Sequence, residues 1–217
     1  ALPARYSEWI ARQQRSDLGP APRPETAVEL LNRAEDACRR ISAGIALLAS
    51  DPLVWESFRL ANHCIAIALR QRAGHDRVIR PEAAPAPAWR PFQLAFILMN
   101  LAGLADPLHG DRQIVDLLFF PTGGGKTEAY LGLAAFALVH RRLKNPRLAG
   151  AGVGVLMRYT LRLLTLDQLG RAATLICALE LERLKDPQRL GLWPFEIGLW
   201  VGQSATPNEM GSKGDSR

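Results

Sequence analysis

Phe119-Phe120-Pro121-Thr122-Gly123-Gly124-Gly125-Lys126-Thr127-Glu128 is the stretch with the clearest chemistry. Three consecutive glycines lack Cβ atoms, so their backbone N–H groups can turn inward and approach phosphate oxygens closely. A helical pattern opens near Lys126, which adds the positive end of a helix dipole. Lys126 is placed to reach β- and γ-phosphates, and the Thr127 hydroxyl to ligate a nucleotide-bound Mg²⁺. The cofactors expected are therefore ATP and Mg²⁺. Lys126 and Thr127 are the candidate catalytic residues, and Thr127 is the candidate metal ligand. The strict pattern G-x-x-x-x-G-K-[ST] would need glycine at position 120, where this chain has phenylalanine. A plain glycine turn is the competing reading. Gly-Lys-Thr between an apolar run and a helix argues for the phosphate loop.

The flanking elements must position that loop. Before it, Ile114-Val115-Asp116-Leu117-Leu118 has strand length and composition. After it, a helix is expected from Ala129 to Arg142. Gly152-Val153-Gly154-Val155-Leu156-Met157 is a second apolar run of strand length, so 114–120, the helix and 152–157 read as a β-α-β unit with a right-handed crossover. Phe195 to Val201 alternates and reads as a third strand. The fold class expected is α/β, a partial RecA-like P-loop domain with a parallel sheet and flanking helices, preceded by a helical hairpin.

The hairpin is read from residues 25–73. Ala27, Leu30, Leu31, Ala34, Cys38, Ile41, Ile45 and Leu48 recur at helical spacing. Asp51-Pro52 then ends one helix and starts the next, as N-cap and first helical residue. The organisation expected is an N-terminal segment and linker (1–24), the hairpin (25–73), a Pro/Ala-rich linker (74–88), the first part of an ATPase lobe (89–202) and a polar loop (203–217).

Composition narrows the class. Of 217 residues, 48% are hydrophobic, enough for a core, and the net charge is +6, a weak pointer to nucleic acid. The three cysteines, Cys38, Cys64 and Cys177, show neither metal spacing nor a disulfide framework, and read as buried free thiols in a reducing cytosol. No apolar run approaches a membrane span and no signal peptide is visible, so a cytoplasmic protein without membrane contact is expected. His63 and His75 read as packing or surface residues.

Several motifs resemble those of superfamily 2 helicases. Pro-Thr-Gly-Gly-Gly-Lys-Thr at 121–127 is similar to their motif I. Gln93, in Arg90-Pro91-Phe92-Gln93, lies 33 residues before Lys126 and resembles their adenine-reading glutamine. A carboxamide can pair with the adenine edge; a helix cap is the alternative. Arg158 to Gln168 resembles motif Ia, which grips the sugar-phosphate backbone. The resemblance implies nucleotide binding by Arg90, Gln93, Thr122, Gly123, Gly124, Gly125, Lys126, Thr127 and Glu128. It implies nucleic-acid contacts from Arg158, Thr160, Arg162 and Gln168. Glu128 also reads as an acid suited to the helix dipole, and the arginines as solvated surface residues.

The segments 119–133, 155–165 and 198–202 together resemble the large helicase subunits of the bacterial DISARM anti-phage system, the DrmA family, over roughly residues 55–210. That resemblance implies an ATP-driven DNA helicase or translocase. The implied track is a DNA phosphate backbone, single-stranded. The implied partners are a second core subunit similar to DrmB and a DNA methyltransferase. Motif II and the arginine finger are absent from these 217 residues, so these residues alone are expected to bind nucleotide with little turnover. A P-loop ATPase that remodels protein, and a non-enzymatic helical interaction module, are the other two classes.

Overall fold

A computed structural model describes residues 2–15, 24–121, 123–158 and 162–200. Its elements are helices: α1 (Leu2–Arg15), α2 (Pro24–Ser50), α3 (Pro52–Arg77), α4 (Pro91–Ala105), α5 (Lys126–Lys144), α6 (Arg162–Lys185) and the short α7 (Pro187–Leu190). Short 3-10 turns lie at Pro81–Ala83, Gly110–Gln113 and Leu148–Gly150. Residues 16–23 of the expected N-terminal segment and linker (1–24), and the expected polar loop (203–217), fall outside the described residues.

The hairpin forms where local chemistry dictates it. Asp51 accepts hydrogen bonds from the backbone N–H groups of Leu53 at 2.8 Å and Val54 at 3.1 Å, and Pro52 occupies the first helical position. Two of the first turn's orphan donors are thereby satisfied. The far end of α3 closes on Val78 in the left-handed region, φ 54°.

The α/β expectation is corrected by the structure: no strand and no sheet is present among the described residues. The runs expected as strands, 114–120, 152–157 and 195–201, are non-helical chain with no ladder over their described residues. Their apolar side chains face solvent in large part, with Val115 94%, Leu117 86% and Leu156 81% exposed. A short apolar run has no secondary structure of its own; it becomes a strand only by pairing with another. Here the buried surface is made by helices on helices instead.

α3 packs on α5 and α6, α2 on α4, α4 on α5, and α1 on α2. Val54, Cys64, Leu101, Phe136, Val139 and Leu179 are among the buried residues of one cluster that joins α3 to α6. Gly44 allows α2 to lie against the backbone of α4, since a Cβ there would stand 2.0 Å from the Leu98 carbonyl oxygen. Of the thiols, Cys64 is buried and its pKa is pushed up to about 12, chiefly by desolvation. Cys177 is exposed, which corrects the expectation that all three are buried.

One ion-pair cluster ties the approach to the glycine loop into this bundle. Arg40 of α2, 6% exposed, donates from Nε to Asp111 at 2.9 Å and from Nη1 and Nη2 to both oxygens of Asp116 at 2.7 and 2.8 Å. A two-pronged guanidinium–carboxylate pair fixes direction as well as distance. Removing one partner of a buried pair strands the others' charge. Arg40→Ala is therefore expected to lower stability by about 3 kcal/mol. Urea unfolding would show this as a lower midpoint with an unchanged slope.

Candidate functional site

The glycine loop is built by α4 from one side and α5 from the other. Phe120 stacks on Phe92 of α4, with ring centroids 4.0 Å apart and planes 12° apart. The ring of Phe120 fills the space over Gly124, where a Cβ would meet Phe120 Cδ1 at 2.4 Å. The phenylalanine that breaks the strict motif and the glycine four residues later thus form one packing unit. Gly125 is the N-cap of α5 at φ 89°, a conformation that side chains resist.

Two side chains of the α4 entry hold the loop's carbonyls. Arg90 Nη1 donates to Gly124 O at 2.7 Å, and Gln93 Nε2 donates to Gly125 O at 2.7 Å. The other end of the Gln93 carboxamide accepts from the Arg90 backbone N–H at 2.8 Å. Gln93 is buried and both of its bonds are partly shielded from water. Within the loop, Gly124 N–H donates to Pro121 O at 3.0 Å. With the Gly124 and Gly125 carbonyls taken up by α4, the loop presents the N–H groups of Gly123 and Gly125 and the start of α5 to an anion. Lys126 curls back, donating to Phe120 O and to Pro121 O at 3.3 Å. Thr127 is half-buried in the first turn of α5. Thr122 lies outside the described residues.

Glu128 faces away from a simple dipole role. Its Oε1 accepts from Arg171 Nη1 of α6 at 2.7 Å, while Oε2 is buried without a partner among the described residues. Arg171 also donates to Asp167 at 3.0 Å, and Asp167 accepts from Arg72 of α3 at 3.0 Å. The Arg72 hydrogen bond, with Arg171 beside it, holds Asp167 below the usual carboxylate range. The first turn of α5, α6 and α3 are thus joined in a row of alternating charges.

A cleft of about 440 Å³ opens beside the loop. Gly123, Gly125, Arg90, Gln93 and Glu128 line its loop end; Asn62, Ile65, Ala66 and Leu69 of α3 form one wall, and Pro87, Ala88 and Trp89 the other. Its volume lies in the range of small-molecule sites. The residues present fit a nucleotide in two respects, an anion-accepting helix start with a lysine beside it and a cleft continuous with it.

The expected nucleic-acid residues lie elsewhere. Arg158 is exposed on non-helical chain, and Arg162 begins α6 with its side chain outside the described set. Gln168 is half-buried near Asp167, with Nε2 3.5 Å from Oδ2. Thr160 lies outside the described residues. Sequence reading missed Arg171, Asn62 and Arg40. Arg171 carried a weak signal, standing four residues after Asp167 on a helix; Asn62 and Arg40 carried none beyond being polar residues inside apolar helical patterns.

No protein-family model matches the sequence. A curated relative does: "DISARM protein DrmA" of Bacillus paralicheniformis is 39% identical over 223 residues, covering 96% of this chain. This chain is close in sequence to DrmA. It spans 19% of that DrmA's length, so the match concerns one part of a much longer protein. No helix among the described residues is long and apolar enough to cross a membrane.

The geometry makes Gln93 a holder of the loop. Gln93→Ala should then weaken binding of ATP and of inorganic tripolyphosphate by similar factors, measured by calorimetry on the full-length protein. Loss of ATP affinity alone, with tripolyphosphate unchanged, would instead mark Gln93 as a reader of the base.

Proposed function

We propose that this chain is the nucleotide-binding part of an ATP-driven DNA translocase of DISARM-type anti-phage defence. The observation that carries the reading is the glycine loop itself. Its carbonyls are bonded to Arg90 and Gln93, its helix starts at Lys126, and a small-molecule cleft opens beside it. Similarity to a DISARM DrmA supports the defence context.

In this reading Lys126 leaves the Phe120 and Pro121 carbonyls for the β- and γ-phosphates, a charged donor exchanging neutral acceptors for anionic ones. Backbone N–H groups of Gly123 and Gly125 and the start of α5 complete the phosphate cradle, while Gly124 N–H keeps the turn closed on Pro121 O. Thr127 would hold Mg²⁺ together with the nucleotide, and Mg²⁺ there neutralises charge on the phosphates. Glu128 is committed to Arg171, so it is a poor base for activating water. The water-orienting carboxylate has to come from motif II, outside these residues. A DNA strand would lie along Arg158, Thr160, Arg162 and Gln168, bound through its phosphates. A second core subunit similar to DrmB and a DNA methyltransferase are the proposed partners, in the cytoplasm.

ATP hydrolysis by the full-length protein, with and without single-stranded and duplex DNA, tests this. DNA should stimulate turnover, and Lys126→Ala should lower it roughly 100-fold or more. Turnover that dies with Lys126→Ala but ignores DNA would point to a protein-remodelling ATPase.

The DNA contacts have a separate signature. Binding of single-stranded DNA should weaken as salt rises, and Arg158→Ala and Arg162→Ala should each reduce the slope of log affinity against log salt by about 0.7. Unchanged slopes would remove these arginines from the interface.

A further inference from the structure

The wall that α3 presents to the cleft has no assigned role. Asn62, Ile65, Ala66 and Leu69 recur at helical spacing, so a single face of α3 meets the cleft. That face belongs to the hairpin, which the sequence places apart from the glycine loop. The opposite wall is held rigidly. Trp89 Nε1 donates to Asn62 Oδ1, and the indole packs at Gly132, where a Cβ would come within 3.0 Å of the ring and 2.7 Å of Ile97. The glycine at 132 is what lets the tryptophan close on α5.

We infer that α3 is the nucleoside-binding wall of this site: a triphosphate held by the glycine loop lays its base and ribose between Ile65, Ala66 and Leu69 on one side and Ala88 and Trp89 on the other. The inference rests on the proposed phosphate-binding role of the loop. Three observations carry it. The cleft is continuous with Gly123 and Gly125, so a ligand anchored there by its phosphates extends into it. Its walls set the apolar Ile65, Ala66 and Leu69 opposite Pro87, Ala88 and Trp89, which suits the faces of a nucleobase, while Asn62, Arg90 and Gln93 offer polar partners for its edge and ribose. Asn62 and Trp89 bond to each other across it, so the two walls are set at a fixed separation before any ligand arrives.

Ordering of a nucleoside against α3 would tie nucleotide occupancy to the α3–α6 row of charges through Arg72 and Asp167.

The test is calorimetric titration of the full-length protein with Mg²⁺·ATP and with Mg²⁺·tripolyphosphate, which has the phosphates and no nucleoside. Ala66→Trp fills the cleft from α3. Ala88→Trp fills it from the exposed, non-helical opposite wall, where folding is not at stake. Both should weaken ATP binding by about tenfold or more and leave tripolyphosphate binding unchanged. Lys126→Ala should weaken both ligands. If Lys126→Ala behaves so while both tryptophan variants bind ATP like the wild type, the loop reading stands and the α3 wall is overturned. If Lys126→Ala leaves both ligands unaffected, the loop reading fails and the wall with it. If Ala66→Trp loses its cooperative thermal transition, the Ala88→Trp titration decides.

Discussion

Two hydrogen bonds, Arg90 to Gly124 O and Gln93 to Gly125 O, set the state of the glycine loop. Three glycines in a row have more backbone freedom to lose than any other tripeptide, so a loop of this composition keeps one shape only if something outside it holds the carbonyls. α4 does so, and the cost of burying Gln93 is met by bonds at both ends of its carboxamide. Everything proposed for the site follows from this. Those carbonyl oxygens are bonded and Gly124 N–H is taken by Pro121 O, so the polarity the loop has to offer is the N–H of Gly123 and Gly125, a helix start and one lysine. The stacked Phe92–Phe120 pair performs the same service from the other face and explains a phenylalanine where the strict motif has glycine.

The loop's position depends in turn on the helical bundle. Arg40 anchors Asp111 and Asp116, on the chain leading to the loop, and Gly44 lets α2 approach α4 closely enough for α4 to sit where its entry meets the loop. On the far side, Arg171 and Glu128 join the first turn of α5 to α6. Three elements distant in sequence thereby fix a ten-residue stretch. The Glu128–Arg171 pair is partly exposed, so its value is direction more than energy.

What could be read from the sequence was local. The Asp51-Pro52 junction and the end of α6 before Asp186-Pro187 are set by an aspartate cap and by proline, and the start of α5 at Lys126 by a left-handed glycine, effects that reach a turn or less. The grouping of Arg90 and Gln93 with the glycine loop was legible because a resemblance supplied the distant pairing. Strands escape such a reading because strand formation is a decision between segments. Residues 114–120, 152–157 and 195–201 have the right apolar content, yet alternation within one run does not say whether another run will pair with it. Arg171, Asn62 and Arg40 stayed invisible for the same reason, since each acts on a residue 27 or more positions away.

Backbone amide exchange in the full-length protein, with and without Mg²⁺·ATP, reads the loop's N–H groups themselves. If the loop cradles phosphate with its N–H groups, nucleotide should slow exchange at residues 123–128. Unchanged exchange across those residues at saturating nucleotide, with protection appearing elsewhere, would mean that the phosphates are held somewhere other than this loop.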